Sequence, residues 1–198
     1  MQKLSLTDFV DIVSKSGTPK ATKVNSVIKR PKYTPATDFY RPLRDGIIDT
    51  HRSDLPKGNL NKLLVSLSDQ KKASNYPEAI KGYTTWWGNK KMQWFEPAYA
   101  TFERHGVAVS VNPELGLVIN GIPHLIKLYF KAEPLTKNRI DIATHLMVEC
   151  LRQQCDDVTV MAILDVRNGK LFSANAPIPN LTAMLSAELA YISALLSD

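Results

Sequence analysis

The sequence predicts an α+β protein: a helical N-terminal portion, then an antiparallel three-strand meander, a helix, a hairpin and a closing helix. Three observations carry this prediction. Helix-spaced apolar residues, punctuated by Pro and Gly, fill residues 1–91. Residues 93–131 then alternate and turn rich in β-branched and aromatic types. Asn120-Gly121 and Asn168-Gly169 add two dipeptides that favour tight hairpins.

The elements follow in order. Ser5 and Asp8 make an S-x-x-D capping box that opens a first helix, with Phe9, Val10 and Val13 on one face and Gly17 and Pro19 ending it. Residues 15–35 read as a basic, irregular arm holding Lys15, Lys20, Lys23, Lys29, Arg30 and Lys32, broken by Pro31 and Pro35. Within it Val24, Val27 and Ile28 leave room for a short strand or a turn of helix. A second helix is predicted over about 39–50, behind Thr37-Asp38, with Pro42 tolerated in its first turn. Leu60, Leu63, Leu64 and Leu67 recur at i, i+3, i+4 and i+7, which gives a third helix, followed by a linker with Lys71 and Lys72. A fourth helix is read from near 75–78 to Gly88, with Ile80, Tyr83 and Trp87 on one face and Glu78 in the first turn, where the helix dipole favours a carboxylate.

Strands are predicted at 99–104 and 107–111 around His105-Gly106, then at 115–119 and 124–131 around Asn120-Gly121. The segment 124–131 is almost continuously apolar, the mark of a central strand covered on both faces. A long helix over 137–154 presents Ile140, Ala143, Met147 and Leu151, widened by Ile142, Leu146 and Cys150, so it packs on a sheet. A strand at 158–165 and a partner at 171–174 form the hairpin, and Asn180 is read as the cap of a last helix with Leu181, Met184, Leu185, Ile192 and Leu195 on or near one face. The organisation is thus a basic, mostly helical portion, 1–91, packed on an α+β core, 92–198, with Trp86, Trp87, Trp94 and Phe95 at the seam.

Composition narrows the function classes. With 44% apolar and 22% charged residues the chain is a folded protein, not a disordered one. Its two cysteines, Cys150 and Cys155, sit five apart on one predicted helix and outside any C-x-x-C pair, so neither a disulfide nor a zinc knuckle is expected. The start carries no apolar leader, and no run approaches the ~18 residues of a membrane span, so a cytoplasmic protein without a membrane partner is expected. The net charge of +6 is uneven: residues 1–100 hold 17 Lys/Arg against 9 Asp/Glu, and residues 101–198 hold 8 against 10. A basic half points to a polyanionic partner such as nucleic acid, or serves only as a solvated face. Lys29, Arg30 and Lys32 of the arm, and Lys90 and Lys91 beside the run Tyr83, Trp86, Trp87, Trp94 and Phe95, are the candidate contacts; such aromatics either stack bases or seal two packed portions. His51, His105, His124 and His145 never stand at i, i+4, and no H-E-x-x-H, G-x-S-x-G, P-loop or G-x-G-x-x-G occurs, which removes support for zinc protease, serine hydrolase and nucleotide-cofactor readings.

The order helix, three strands, helix, strand over 76–165 resembles the restriction-endonuclease-like nucleases, the PD-(D/E)XK superfamily, over about half the chain. In that family a Glu from the leading helix, an acid on the second strand and a Glu-x-Lys on the third hold a divalent metal, which with the lysine activates water. Carried over, the resemblance implies Glu78 on the leading helix and Glu114, within Asn112-Pro113-Glu114-Leu115, as the acids and Mg²⁺ ligands. The third strand reads Ile126-Lys127-Leu128-Tyr129-Phe130-Lys131, so Lys127 stands where the acid is expected and Tyr129 where the lysine is expected. Glu78, Glu114 and Lys127 are therefore the candidate catalytic positions. Lys127 and Lys131 share a strand face and form either an anion site, with Glu114 or Glu133 as counter-charge, or a snorkelling margin. Three functions stay open: a nucleic-acid-binding or accessory module on a nuclease-like fold lacking an intact motif, a protein-interaction or scaffold component, and a metal-dependent nuclease with acids relocated to Glu78, Glu114 and Glu133.

Overall fold

A computed structural model describes residues 1–31, 34, 38–65, 67 and 69–197. The fold is α+β, with N-terminal helices, a run of antiparallel strands, a helix, a hairpin and a C-terminal helix. In chain order the elements are β1 (Gln2–Ser5), α1 (Leu6–Val13), α2 (Gly17–Ile28), α3 (Arg41–Arg52), a 3-10 turn (Lys57–Asn61), α4 (Lys62–Val65) and α5 (Gln70–Trp87). There follow β2 (Met92–Phe95), β3 (Ala100–Arg104), β4 (Val107–Val111), β5 (Leu115–Ile119), β6 (Ile122–Tyr129), α6 (Lys137–Leu151), β7 (Val160–Asp165), β8 (Lys170–Ser173) and α7 (Leu181–Ser197).

The strand run divides between two sheets. One has the order β1-β4-β3 and the other β2-β5-β6-β7-β8. The hairpins β3–β4 and β5–β6 are tight, with positive φ at His105 and Gly106 in one turn and at Asn120 and Gly121 in the other, the backbone that two-residue hairpins require. Between them Asn112-Pro113 redirects the chain, so β4 pairs in parallel with β1 and β5 pairs with β2. β6 is the middle strand of the larger sheet, antiparallel to β5 and parallel to β7, with α6 as the crossover. Its faces go to different cores. Leu125 and Tyr129 join one core with α1, α2, α6 and α7, while Ile126, Leu128 and Phe130 join the other with α3 and α5. Segment 124–131 is central, as its apolar run predicts.

Three local readings need correction. Residues 17–28 are helix, not irregular arm: Val24 and Val27 are buried three residues apart, and Pro19 sits in the first turn where its missing N–H costs nothing. α5 starts at Gln70, so Lys71 and Lys72 belong to its first turn. There Asp69 accepts the N–H groups of both lysines, and Pro77 is carried inside the helix. The stripe Leu60, Leu63, Leu64 and Leu67 packs on the α3–α5 core, but Leu60 is in a 3-10 turn, Leu63 and Leu64 are in one turn of α-helix and Leu67 lies past it. Lys32, Pro35 and Thr37 lie outside the described residues.

One close approach fixes α5 on the sheet. Gly82 meets the β7–β8 turn so tightly that a Cβ there would fall 2.2 Å from the Val166 carbonyl oxygen and 2.3 Å from that of Arg167. Asp165 ties the same turn, accepting from the Asn168 N–H at 3.1 Å and the Asn168 amide at 2.9 Å.

Candidate functional site

The register of β5 against β6 places Leu115 opposite Ile126, so Glu114 falls beside Lys127. Lys127 projects to the α1–α6 side of the sheet, is 6% exposed, and puts Nζ 2.6 Å from Glu114 Oε1. The ammonium also donates to the Asn112 carbonyl at 3.0 Å and approaches Asn112 Oδ1 at 3.4 Å. The second oxygen of Glu114 accepts the Leu128 N–H at 2.7 Å. Both carboxylate oxygens and the ammonium are thus satisfied within the protein.

A second ionic cluster lies against the same strand. Asp11, on the inner face of α1 and 3% exposed, forms ion pairs with three cations from different parts of the chain. Arg139 Nη1 of α6 is 2.7 Å from Oδ1, while Lys131, just beyond β6, and Lys23 of α2, at 3.3 Å, both reach Oδ2. Burial alone would raise the Asp11 carboxyl, but the Lys131 hydrogen bond and charge, with Lys23 and Arg139, hold it below its ordinary value. Arg139 reaches on to Glu133 Oε2 at 3.2 Å, and the Tyr129 hydroxyl donates to the Glu133 carbonyl at 2.8 Å. Between the clusters a cavity of about 10 Å³, lined by Leu6, Val10, Asp11, Lys127 and Tyr129 among others, has room for one water and no small molecule.

The remaining predicted residues lie elsewhere. Glu78 is on α5, on the opposite side of the sheet from Lys127, and pairs with Arg167 of the β7–β8 turn. The structure therefore does not bring Glu78 and Glu114 together. Arg30 bridges to Asp8 at 3.0 Å, Lys29 follows α2 and is exposed, Lys90 donates to the Trp86 carbonyl under that ring, and Lys91 is exposed at the start of the larger sheet's edge strand. Tyr83 and Trp86 are buried, Trp87 stacks on His51 with centroids 4.2 Å apart, and Arg52 covers Trp94. Tyr83, Trp86, Trp87 and Trp94 pack between α3, α5 and the sheet, whereas Phe95 packs on the core across the sheet.

The donor set does not fit Mg²⁺. That ion takes several oxygen ligands. Among the described residues no three His, Cys, Asp or Glu side chains stand close enough to share one, and Glu114 has both oxygens engaged. No protein-family model matches the chain, and no curated protein sequence matches it either. Among the described residues no helix is long and apolar enough to cross a membrane.

Asp11 and Arg139 escape the sequence reading because they are 128 residues apart and meet only in the fold. One signal was available: Asp11 interrupts the apolar run Phe9, Val10, Ile12, Val13, an acid on a helix too apolar to be solvated all round.

Proposed function

We propose that the protein is a nucleic-acid-binding or accessory module on a nuclease-like sheet in which a lysine has taken the place of the metal. The observation that carries this reading is Lys127 Nζ 2.6 Å from Glu114, with the other Glu114 oxygen on the Leu128 N–H. A cation already neutralises the acid that a nuclease would offer to Mg²⁺. The strand order supports the kinship: β2, β5 and β6 are successive antiparallel neighbours, and the α6 crossover leads to β7, parallel to β6. The net charge of +6 and the basic first half favour a phosphate-rich partner. The test pairs two assays on the full chain: fluorescence anisotropy with labelled single-stranded and duplex oligonucleotides across a salt series, and gel assays of the same strands with Mg²⁺ or Mn²⁺. Salt-dependent binding without cleavage is expected. Absence of binding at low salt, or metal-dependent cleavage, refutes the reading.

A second reading, a protein-interaction component, is favoured by α7. It exposes Met184 and Tyr191 on one face and Leu196 at its end, and over 181–197 it carries one charged residue, Glu188. Self-association in sedimentation velocity that Y191K abolishes would favour this reading, and a monomer at all concentrations would count against it.

A further inference from the structure

The two ionic clusters differ in what they leave over. Glu114 and Lys127 cancel and are closed in. Around Asp11, three cations face one buried carboxylate and the exposed Glu133, an excess of one positive charge. Arg139 is committed by geometry, with Asp11, Glu133 and the Tyr129 oxygen all on its guanidinium. The lysines are not. Both rest on Asp11 Oδ2, yet an ammonium has three N–H donors, and among the described residues neither finds another acceptor. Their side chains are 24% and 35% exposed, so the spare donors open to solvent.

Resting on the nucleic-acid reading above, we propose that Lys23 and Lys131 form a phosphate contact, both ammoniums donating to the oxygens of one phosphate from the solvent side of Asp11. Two cations converging on one oxygen atom lie close enough for a single tetrahedral anion to span them. Asp11 fixes their position beforehand, which lowers the ordering cost of gripping the anion. Arg139 and the lysines keep Asp11 neutralised while the spare lysine donors on the solvent side take the phosphate. The partner is a phosphate of a nucleic-acid backbone or a free phosphate; the chemistry is the same, and the experiment separates the sources.

The experiment uses the full chain with K23Q, K131Q, the double variant K23Q/K131Q, K131R and the control K170Q on the exposed hairpin, melting each variant first to confirm folding. Oligonucleotide affinity is measured against salt by anisotropy, and inorganic phosphate is titrated by thermal shift. K23Q and K131Q should each weaken oligonucleotide binding several-fold, and the double variant K23Q/K131Q should reduce the slope of log Kd against log salt by roughly 0.7–0.9, the value of one lost phosphate contact. K131R should restore most of the affinity and K170Q should change nothing. If oligonucleotides bind and K23Q, K131Q and the double variant keep the wild-type affinity and slope, this inference is wrong while the nucleic-acid reading stands. If no oligonucleotide binds but millimolar phosphate raises the melting temperature of the wild type and not of K131Q, the reading falls and the site stands as one for free phosphate. If neither probe binds, both fall.

Discussion

Replacing Lys127 by Met tests the pairing on which the site rests. Met keeps most of the apolar stem, so the loss falls on the charge and its hydrogen bonds. Three acceptors lose their donor: Glu114 Oε1, the Asn112 carbonyl and Asn112 Oδ1. Asn112 is exposed and water serves it instead. Glu114, with its side chain 12% exposed, is not so easily rehydrated. Breaking a buried pair from one side costs about 3–5 kcal/mol, because the surviving charge is left unpaired. The Leu128 N–H still holds one Glu114 oxygen, which places K127M near the lower end, about 3 kcal/mol. E114Q alone should cost less, about 2 kcal/mol, since the Lys127 ammonium keeps Asn112. The double variant K127M/E114Q leaves no buried charge and should lie within about 2 kcal/mol of the wild type, well short of the summed single losses. Urea unfolding of the four proteins at pH 7.5, followed by circular dichroism and by tryptophan fluorescence, measures the cycle. A K127M loss below about 0.5 kcal/mol, or strict additivity, would mean that Glu114 and Lys127 do not act as a pair. The argument that a lysine stands in for a metal would then fail.

Three other predictions follow from the structure. Burial pushes His51, hydrogen-bonded to Tyr83 at 2.6 Å, down to about 4. A group whose folded pKa is depressed in this way is charged only in the unfolded chain between about pH 6.5 and 4, so stability should fall by about 3 kcal/mol as pH drops through that window. H51Q should flatten the profile in denaturant titrations, and an equal slope in both proteins would clear His51 of the effect. G82A forces a Cβ onto two backbone carbonyl oxygens, which should outweigh the ~1 kcal/mol that Ala brings to a helix and leave a net loss of about 2 kcal/mol, a fall of roughly 4–8 °C in melting temperature. An unchanged or higher melting point would show that α5 is not seated on the 166–169 turn. Burial, with Glu149 adding to it, pushes the Cys150 thiol up to about 11, so its alkylation by iodoacetamide at pH 8 should be roughly a hundredfold slower than that of an ordinary thiol, read by mass spectrometry of time points.

What the sequence discloses and what it hides follow one physical line. Features set within a few residues are legible. Ser5 does cap α1, its Oγ accepting the Asp8 N–H at 3.0 Å, though the Asp8 carboxylate accepts from the Ser5 hydroxyl at 2.8 Å and not from its backbone N–H. Asn120-Gly121 does turn β5 into β6, and the apolar run after it does lie between two neighbours. Features set by distant partners are not legible. β1 is four residues with only Leu4 buried, and nothing in Gln2-Lys3-Leu4-Ser5 announces that it pairs with a strand more than a hundred residues away. β2 has Met92 and Trp94 half-buried and no strong alternation, and is fixed by β5. Charge was the least legible of all. Lys20 pairs with Glu188 and Lys23 with Asp11, so much of what reads as a free basic arm is neutralised across the fold. Lys127 reads as a displaced acid position until the register sets it against Glu114.

That last point decides where a partner can act. An anion approaching Lys127 would have to displace a carboxylate 2.6 Å away where both side chains are almost wholly enclosed, and would leave Glu114 unpaired with little access to water. The attraction gained would be offset by the charge abandoned. At the Asp11 cluster the sign of this balance reverses. Arg139, 2.7 Å from Oδ1, holds the carboxylate, the lysines are already partly in water, and the cluster starts with a surplus positive charge. Binding there costs little desolvation and leaves no orphaned ion. The Glu114–Lys127 pair therefore ties β5 to β6, and of the two clusters the one around Asp11 is where the proposed phosphate contact costs least.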